Sequence, residues 1–115
     1  MGKNMQLGKV IGTVTATRKE QRLEGFKLLI VHTLKIDLSP TYSYLVAVDT
    51  VGAGYGEIVL LVSGSSARQS DVTNGKPVDA AVVGIIDSVN ILPDFAESAG
   101  LQPGEVFIRD RREAL

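Results

Sequence analysis

The sequence contains no cysteine and no tryptophan, and it has a single histidine, His32, among 115 residues. The absence of thiols excludes a disulfide framework and thiolate metal sites, as is usual in a reducing compartment. No apolar run approaches the roughly 20 residues that a membrane-spanning helix needs. Residues 1–7 lack the apolar region of a signal peptide. We therefore expect a soluble intracellular protein with no membrane partner.

Net charge and aromatic residues are scarce as well. The formal net charge is −1 at pH 7, and aromatic residues make up 5% of the chain. Such a chain offers little electrostatic attraction to nucleic acid and few rings on which bases could stack. The basic cluster of Arg18, Lys19, Arg22 and Lys27 fits a solvated loop better than a binding groove. We expect no nucleic-acid partner.

Alternating and β-branched segments dominate the chain. They predict five strands, at residues 6–17, 26–36, 44–49, 57–63 and 79–92. The centre of the second strand is apolar on both faces, so we expect it to be covered on both sides. Apart from one helical turn capped by Ser65, no helix is predicted among the strands. The pattern predicts an all-β fold, a small five-stranded β-barrel of the oligonucleotide/oligosaccharide-binding (OB) type.

The composition changes after Pro93. Residues 94–97 form a capping arrangement for a short helix that Gly100 closes. A charged run at residues 109–113 follows near the end of the sequence. We therefore assign residues 1–92 to the β-barrel domain and residues 93–115 to a C-terminal extension with a short helix.

Four glycines flank the fourth predicted strand: Gly52, Gly54 and Gly56 precede it, and Gly64 follows it. Glycine adopts tight or crowded backbone conformations at low cost. The backbone here either turns tightly or lies against a ligand, another segment or a second copy of the chain. A nucleotide cofactor is not expected, because G-A-G-Y-G differs from the G-x-G-x-x-G fingerprint and no helix follows it.

No catalytic, cofactor-binding or metal-binding residue is predicted. His32 stands in line with Leu28 and Ile30, which is typical of a hydrogen-bonded packing or interface histidine. Ser65 and Ser66 lack the G-x-S-x-G context of a nucleophile elbow, and no EF-hand or H-E-x-x-H spacing occurs. Structural roles are expected for the acidic residues in or near the strands, Asp49, Asp79 and Asp87.

Apolar surface remains after one barrel core is filled. The second predicted strand is apolar on both faces, the fifth is nearly so, and glycines crowd the first. If roughly ten aliphatic side chains leave water only on assembly, each contributes about 1.5–3 kcal/mol, which exceeds the cost of association. We expect a homo-oligomer whose heterologous contacts close a ring. A nucleic-acid or oligosaccharide binding module built on the same barrel is the alternative.

Several motifs, in this order, resemble those of a known family. They are LGKVIGTV (7–14), ATRKE (16–20), GFKLL (25–29), VAVDTVGAG (46–54), GSSAR (64–68) and PVDAAVVGIID (77–87). Together they make the stretch from Met5 to Leu92 similar to the vertex proteins of bacterial microcompartments, the EutN/CcmL family.

The resemblance implies a small β-barrel that assembles into a pentamer at the corners of a polyhedral shell. A closed shell tiled only by hexagons stays flat, and pentagons introduce the curvature. The resemblance also implies hexameric shell proteins as partners, a location in a cytoplasmic microcompartment shell, and a structural role without catalysis. The shell encloses enzymes, and the vertex protein seals it.

Site residues follow from the same analogy. Small residues of the glycine-rich turns are expected to line the five-fold axis: Gly52, Ala53, Gly54, Gly64, Ser65 and Ser66. Residues of the strands are expected in the core or at the subunit interface: Gly8, Gly12, Leu28, Ile30, His32, Val82 and Ile85. Arg68 is a further candidate for the interface.

The C-terminal extension generates a first prediction. One hypothesis is that its apolar residues Phe95, Leu101, Val106 and Phe107 dock on the neighbouring subunit; the alternative is a solvated or disordered end. Deletion of residues 93–115 should then lower the melting temperature of the oligomer, because those contacts are lost. Thermal unfolding of the full-length and shortened chains at equal concentration measures this, and an unchanged transition would contradict the docking hypothesis.

Overall fold

A computed structural model describes residues 5–17, 19, 21–64, 67, 79–92 and 104–107. Within these residues lie seven strands and one short 3-10 helix, Gln21–Leu23. The strands are β1 (Met5–Val14), β2 (Leu28–Leu34), β3 (Pro40–Asp49), β4 (Ile58–Ser63), β5 (Ala80–Ile85), β6 (Ser88–Ile91) and β7 (Gly104–Phe107).

Five strands form a closed barrel in the order β1-β2-β3-β5-β4. The long strand β1 pairs antiparallel with β2 on one side and with β4 on the other. The barrel closes through a short parallel contact between β3 and β5, in which Val48 pairs with Ala81 and Asp49 with Val82. The all-β, five-stranded barrel predicted from the sequence is therefore confirmed.

Strand β1 bends and pairs with both β2 and β4. Its register with β2 shifts between Val10 and Gly12, so that Ile11 is an extra residue in the ladder. A bulge of this kind bends a strand and increases its twist. Gly12 adjoins the bulge, and a glycine within a strand commonly marks a bulge or a tight bend.

The barrel interior is filled by aliphatic side chains from every barrel strand. Alternate residues of β2 point inward, so Leu29 and Val31 are fully buried while Leu28 and Ile30 are only partly buried. The largest fully buried side chains are Val10, Leu29, Val31, Val59, Leu61 and Val82. The interior is thus a packed core.

A second apolar cluster lies on the outside of the barrel. Val48 and Ala81 belong to it, whereas their chain neighbours Ala47 and Val82 belong to the interior core; successive residues of a strand point to opposite faces. Leu23 of the 3-10 helix and Phe26 of the following loop pack against this cluster. Part of the apolar outer face of β2 is therefore covered by the chain itself, as the sequence predicted.

The connection between β2 and β3 is a tight turn. The Asp37 carboxylate accepts hydrogen bonds from the Ser39 hydroxyl at 2.6 Å and the Ser39 amide at 3.0 Å, and these bonds lower the pKa of Asp37. The amide of Lys35 donates to the carbonyl of Ser39. The predicted strands at residues 26–36 and 44–49 leave residues 37–43 for this connection, but β3 already begins at Pro40.

The predicted fifth strand is in fact two strands. Strand β5 ends at Ile85, and β6 begins at Ser88 and pairs with β7 instead of with a barrel strand. Asp87 and Ser88 mark this break, but the β-branched residues on either side of them led to the prediction of one continuous strand. The predicted helices at residues 94–100 and after Ser65 lie outside the described residues, and the boundary at residue 92 stays a prediction.

Gly8 generates a prediction about packing in the core. A Cβ atom at this position would lie 2.3 Å from Val31 Cγ1 and 3.0 Å from Leu61 Cδ1. Gly8→Ala should therefore reduce the free energy of unfolding by about 1–3 kcal/mol, the usual cost of overpacking. Thermal or urea unfolding monitored by circular dichroism measures the change.

Gly84→Ala is the matched control for this substitution. Gly84 also lies in a barrel strand, but its added Cβ would meet Leu60 Cβ at 3.4 Å, an ordinary contact. This variant should unfold close to the unmodified protein. Equal stability of the two variants would show that the barrel interior adapts to an extra methyl group.

Candidate functional site

A single carboxylate organises the loop that joins β3 to β4, residues 50–57, here called the glycine loop. Asp49 Oδ1 accepts hydrogen bonds from the amides of Val51 at 3.1 Å, Gly52 at 3.1 Å and Ala53 at 3.2 Å. Gly52 has φ 76°, a left-handed conformation that most side chains disfavour. The loop therefore has a defined turn in which three successive amides converge on one acceptor.

The rest of the glycine loop is fastened to the barrel. Lys27 Nζ donates to the carbonyl of Ala53 at 3.1 Å, and the amide of Gly54 donates to Glu57 Oε1 at 2.7 Å. The amide of Gly56 donates to the carbonyl of Val10 on β1 at 2.8 Å. These bonds satisfy backbone groups that a tight loop would otherwise leave open, so the loop is an ordered surface.

The candidates for the five-fold axis occupy different environments. Gly52 is exposed and Gly54 is partly exposed, whereas the Ala53 side chain is fully buried in the barrel core. Only the backbone of Ala53 is therefore placed to face an axis. Gly64 is exposed with φ 63°, and its amide donates to the carbonyl of Asp79. Ser65 and Ser66 lie outside the described residues, and the axis assignment stays a prediction.

Several interface candidates point into their own chain. Gly8 and Val82 are buried in the barrel, and Ile85 packs against the same core. Leu28 packs against the second cluster. Arg68 lies outside the described residues. The first four residues thus serve the fold of the isolated chain, and their role at an interface stays a prediction.

Other interface candidates lie on the outer face of the barrel. Ile30 is partly exposed there and covers Gly12, where an added Cβ would lie 3.3 Å from Ile30 Cδ1. The cross-strand partners of Ile30 and His32 on β3 are Val46 and Tyr44. We call Ile30, His32, Tyr44 and Val46 the outer strip.

His32 is held in place within the outer strip. Its ring stacks on that of Tyr44 with 4.3 Å between centroids. Its Nε2 lies 2.6 Å from the carbonyl oxygen of Thr41, and since a carbonyl only accepts, Nε2 carries a proton. The hydrogen bond and the stacked ring agree with a packing role for His32, and its place at a subunit interface stays a prediction.

Sequence analysis missed the exposed face of β3. Tyr42, Tyr44 and Val46 are 103%, 60% and 50% exposed, and they follow one another at every second position. This period of two is a strand signal, but the neighbouring turn residues led us to begin the strand at Tyr44. Strand β3 in fact begins at Pro40. The outer strip is thus a mixed aromatic and aliphatic surface of the kind on which a second protein surface packs.

The described residues contain no sign of a metal site or membrane span. No group of three or more His, Asp or Glu side chains among them is placed to bind a metal ion. None of the helices in this part of the chain is long and apolar enough to cross a bilayer.

The Asp49 arrangement generates a prediction about the glycine loop. Asp49→Ala removes the shared acceptor of three amides and should lower the free energy of unfolding by about 1.5–3 kcal/mol, the range for bonds to a charged group. Asp49→Asn keeps an oxygen at the same place and should recover at least half of that loss. Thermal unfolding at fixed concentration measures both, and equal destabilisation by the two variants would contradict a role for Asp49 as acceptor.

Comparison with known proteins assigns the chain to a family. The family model described as ethanolamine utilisation protein EutN/carboxysome matches residues 5–87. The shell vertex protein GrpN of Rhodospirillum rubrum is 58% identical over 74% of this chain and 96% of its own length. The carboxysome shell vertex protein CcmL of Synechocystis is 51% identical over 76% of this chain and 87% of its own length.

A solved structure agrees with these relatives. The GrpN pentameric microcompartment shell protein from Rhodospirillum rubrum superposes with a TM-score of 0.70 at 55% identity, covering 76% of this chain and 99% of that one. The resemblance read from the motifs is thus confirmed: the chain belongs to the EutN/CcmL family.

Proposed function

We propose that this chain forms a pentameric vertex of a bacterial microcompartment shell. The observation that carries the proposal is the similarity to GrpN, a pentameric shell protein, over nearly the whole of that protein. At 55% identity with a shared barrel, the surfaces that bring five copies together are expected to correspond.

The distribution of apolar residues supports assembly. The barrel interior is packed with aliphatic side chains, and the outer strip adds further apolar surface where no described segment covers Tyr44 or Val46. Burial of such side chains against a second copy contributes about 1.5–3 kcal/mol each. A packed interior and an apolar exterior fit a protein whose function is to assemble with other subunits. We therefore propose that the chain has no catalytic activity.

The shell role follows from the pentamer. Five identical copies around one axis form a pentagonal tile, and the proposed neighbours of that tile are hexameric shell proteins. The tile seals a corner of the shell around the enclosed enzymes. The proposed location is therefore the shell of a microcompartment in the cytoplasm.

The alternative, an OB-type nucleic-acid binding module, is less favoured by the positions of two lysines. Lys19 Nζ donates to the carbonyl of Phe26, and Lys27 Nζ donates to the carbonyl of Ala53, each at 3.1 Å. Two of the four cations of the predicted basic cluster therefore hold loops of their own chain. A binding groove instead needs cations directed at phosphates.

Native mass spectrometry tests the proposal directly. The expected species has a mass of about 62 kDa, five times the 12.3 kDa chain. A monomer that gains mass with a single-stranded oligonucleotide would favour the binding module instead. A monomer at high concentration, with or without the oligonucleotide, would contradict the vertex function.

A substitution in the outer strip tests its place in the pentamer. Ile30→Glu puts a carboxylate on the outer face of β2, and a charge buried without a partner costs about 2–5 kcal/mol at an interface. The concentration for half-assembly should therefore rise by more than about ten-fold. Ile36→Glu is the control, because Ile36 is 57% exposed and lies in the turn before β3. If both variants assemble like the unmodified chain, the outer strip is not part of the ring contact.

A further inference from the structure

Strand β3 has an open edge. Along its whole length it pairs with β2, but on its other side it pairs with β5 only at Val48 and Asp49. Among the described residues, no strand lies beside residues 44–47 on that side. Alternate backbone N–H and C=O groups of an edge strand point outward and can accept another strand.

This edge has few of the features that normally protect one. Natural edge strands carry charged residues, prolines or bulges that prevent pairing with another chain. Between Pro40 and Asp49, β3 has no charged residue. The bulge and Pro40 lie at the beginning of the strand, so residues 44–47 are left without protection.

A groove adjoins the open edge. It lies where β3 and β5 diverge, has a volume of about 220 Å³, and is lined chiefly by aliphatic side chains such as Val46, Ala47 and Ala80. A segment that added to the edge of β3 would bury its own side chains in this groove.

The β6–β7 pair, here called the β6–β7 ladder, also lacks a partner sheet in the part of the chain that the structure describes. Each strand has four residues and there pairs only with the other, and an isolated two-stranded sheet is marginally stable in water. Both outer edges of the ladder are unpaired within the described residues. The ladder follows the region that the family model matches, which ends at residue 87.

Strand β5 leads the chain away from its own open edge. Strand β5 runs parallel to β3, with Ala81 beside Val48, so the chain moves past Asp49 as it approaches Ser88. Residues 44–47 precede Val48 and therefore lie on the other side of that contact. At about 3.3 Å per residue, the start of the ladder and the open edge lie at opposite ends of the β3–β5 seam.

We propose that the β6–β7 ladder of one subunit adds to the open edge of β3 in the next subunit. The open edge has four residues, as does each strand of the ladder. The contact joins two different surfaces, so it is heterologous and can close a ring. This inference rests on the proposed pentamer and adds the segment that links its neighbours.

The absence of cysteine makes the contact accessible to crosslinking. Chains with Tyr44→Cys are mixed with chains carrying Asn90→Cys, unfolded and refolded together, and treated with a bismaleimide that spans about 10 Å, two strand spacings. Tyr44 lies on the open edge, and Asn90 is an exposed residue of β6. Crosslinked dimer is measured on denaturing gels, after native mass spectrometry of the mixture.

The control replaces Tyr44→Cys by Tyr55→Cys. Tyr55 is 70% exposed against 60% for Tyr44, but it lies in the glycine loop and contacts Thr13 on β1. The Tyr44→Cys mixture should give at least about ten-fold more dimer, because a ring holds the reactive pair at millimolar effective concentration. If Tyr44→Cys impairs folding, Val46→Cys probes the same edge.

The outcomes separate this inference from the proposed function. A pentamer with preferential crosslinking through the β3 edge supports both. A pentamer in which the two mixtures crosslink equally, or not at all, overturns the inference and leaves the vertex function intact. A monomer in native mass spectrometry overturns both.

Discussion

The narrow interior of a five-stranded barrel is the constraint on which the rest of this structure depends. Val31 and Leu61 fill the space opposite β1 so completely that position 8 accommodates only glycine without displacement. The remaining interior is occupied by medium-sized aliphatic side chains and by Ala47 and Ala53. Because the interior is full, the other apolar residues of the strands must lie outside it, in the second cluster or on the outer strip. The apolar residues on the outside of the barrel are thus a consequence of the small volume of its core.

The same core reaches into the glycine loop through Ala53. Its methyl group is buried with the barrel residues, while Asp49 and Lys27 bind the loop backbone on either side. The loop is therefore continuous with the rigid part of the fold, although its glycines suggest mobility. If the loop lies at the five-fold axis, as we propose, its small residues have a backbone that is held in place there.

The sequence predicted the features that depend on local periodicity. It missed those that depend on contacts between residues distant in the chain. Alternation of apolar residues located the barrel strands, and the apolar stripe placed His32 in a packed, hydrogen-bonded position. The division of residues 79–92 into β5 and β6 escaped prediction, because β-branched residues lie on both sides of Asp87 and Ser88 and the change of pairing partner at this point leaves no periodic signal. The inward position of Ala53 likewise depends on the three amides gathered by Asp49, which no periodicity reveals. The motifs identified the family, but not which glycines support the core and which face solvent.

The short parallel seam between β3 and β5 has a mechanical consequence. Only two residue pairs close the barrel there, and Thr50 reinforces them by donating from both its amide and its hydroxyl to the carbonyl of Val82. Opening along this line sacrifices fewer hydrogen bonds than separation of any other two neighbouring barrel strands. The other ladders of the barrel are longer, so we expect any local opening of the subunit to begin along this one line.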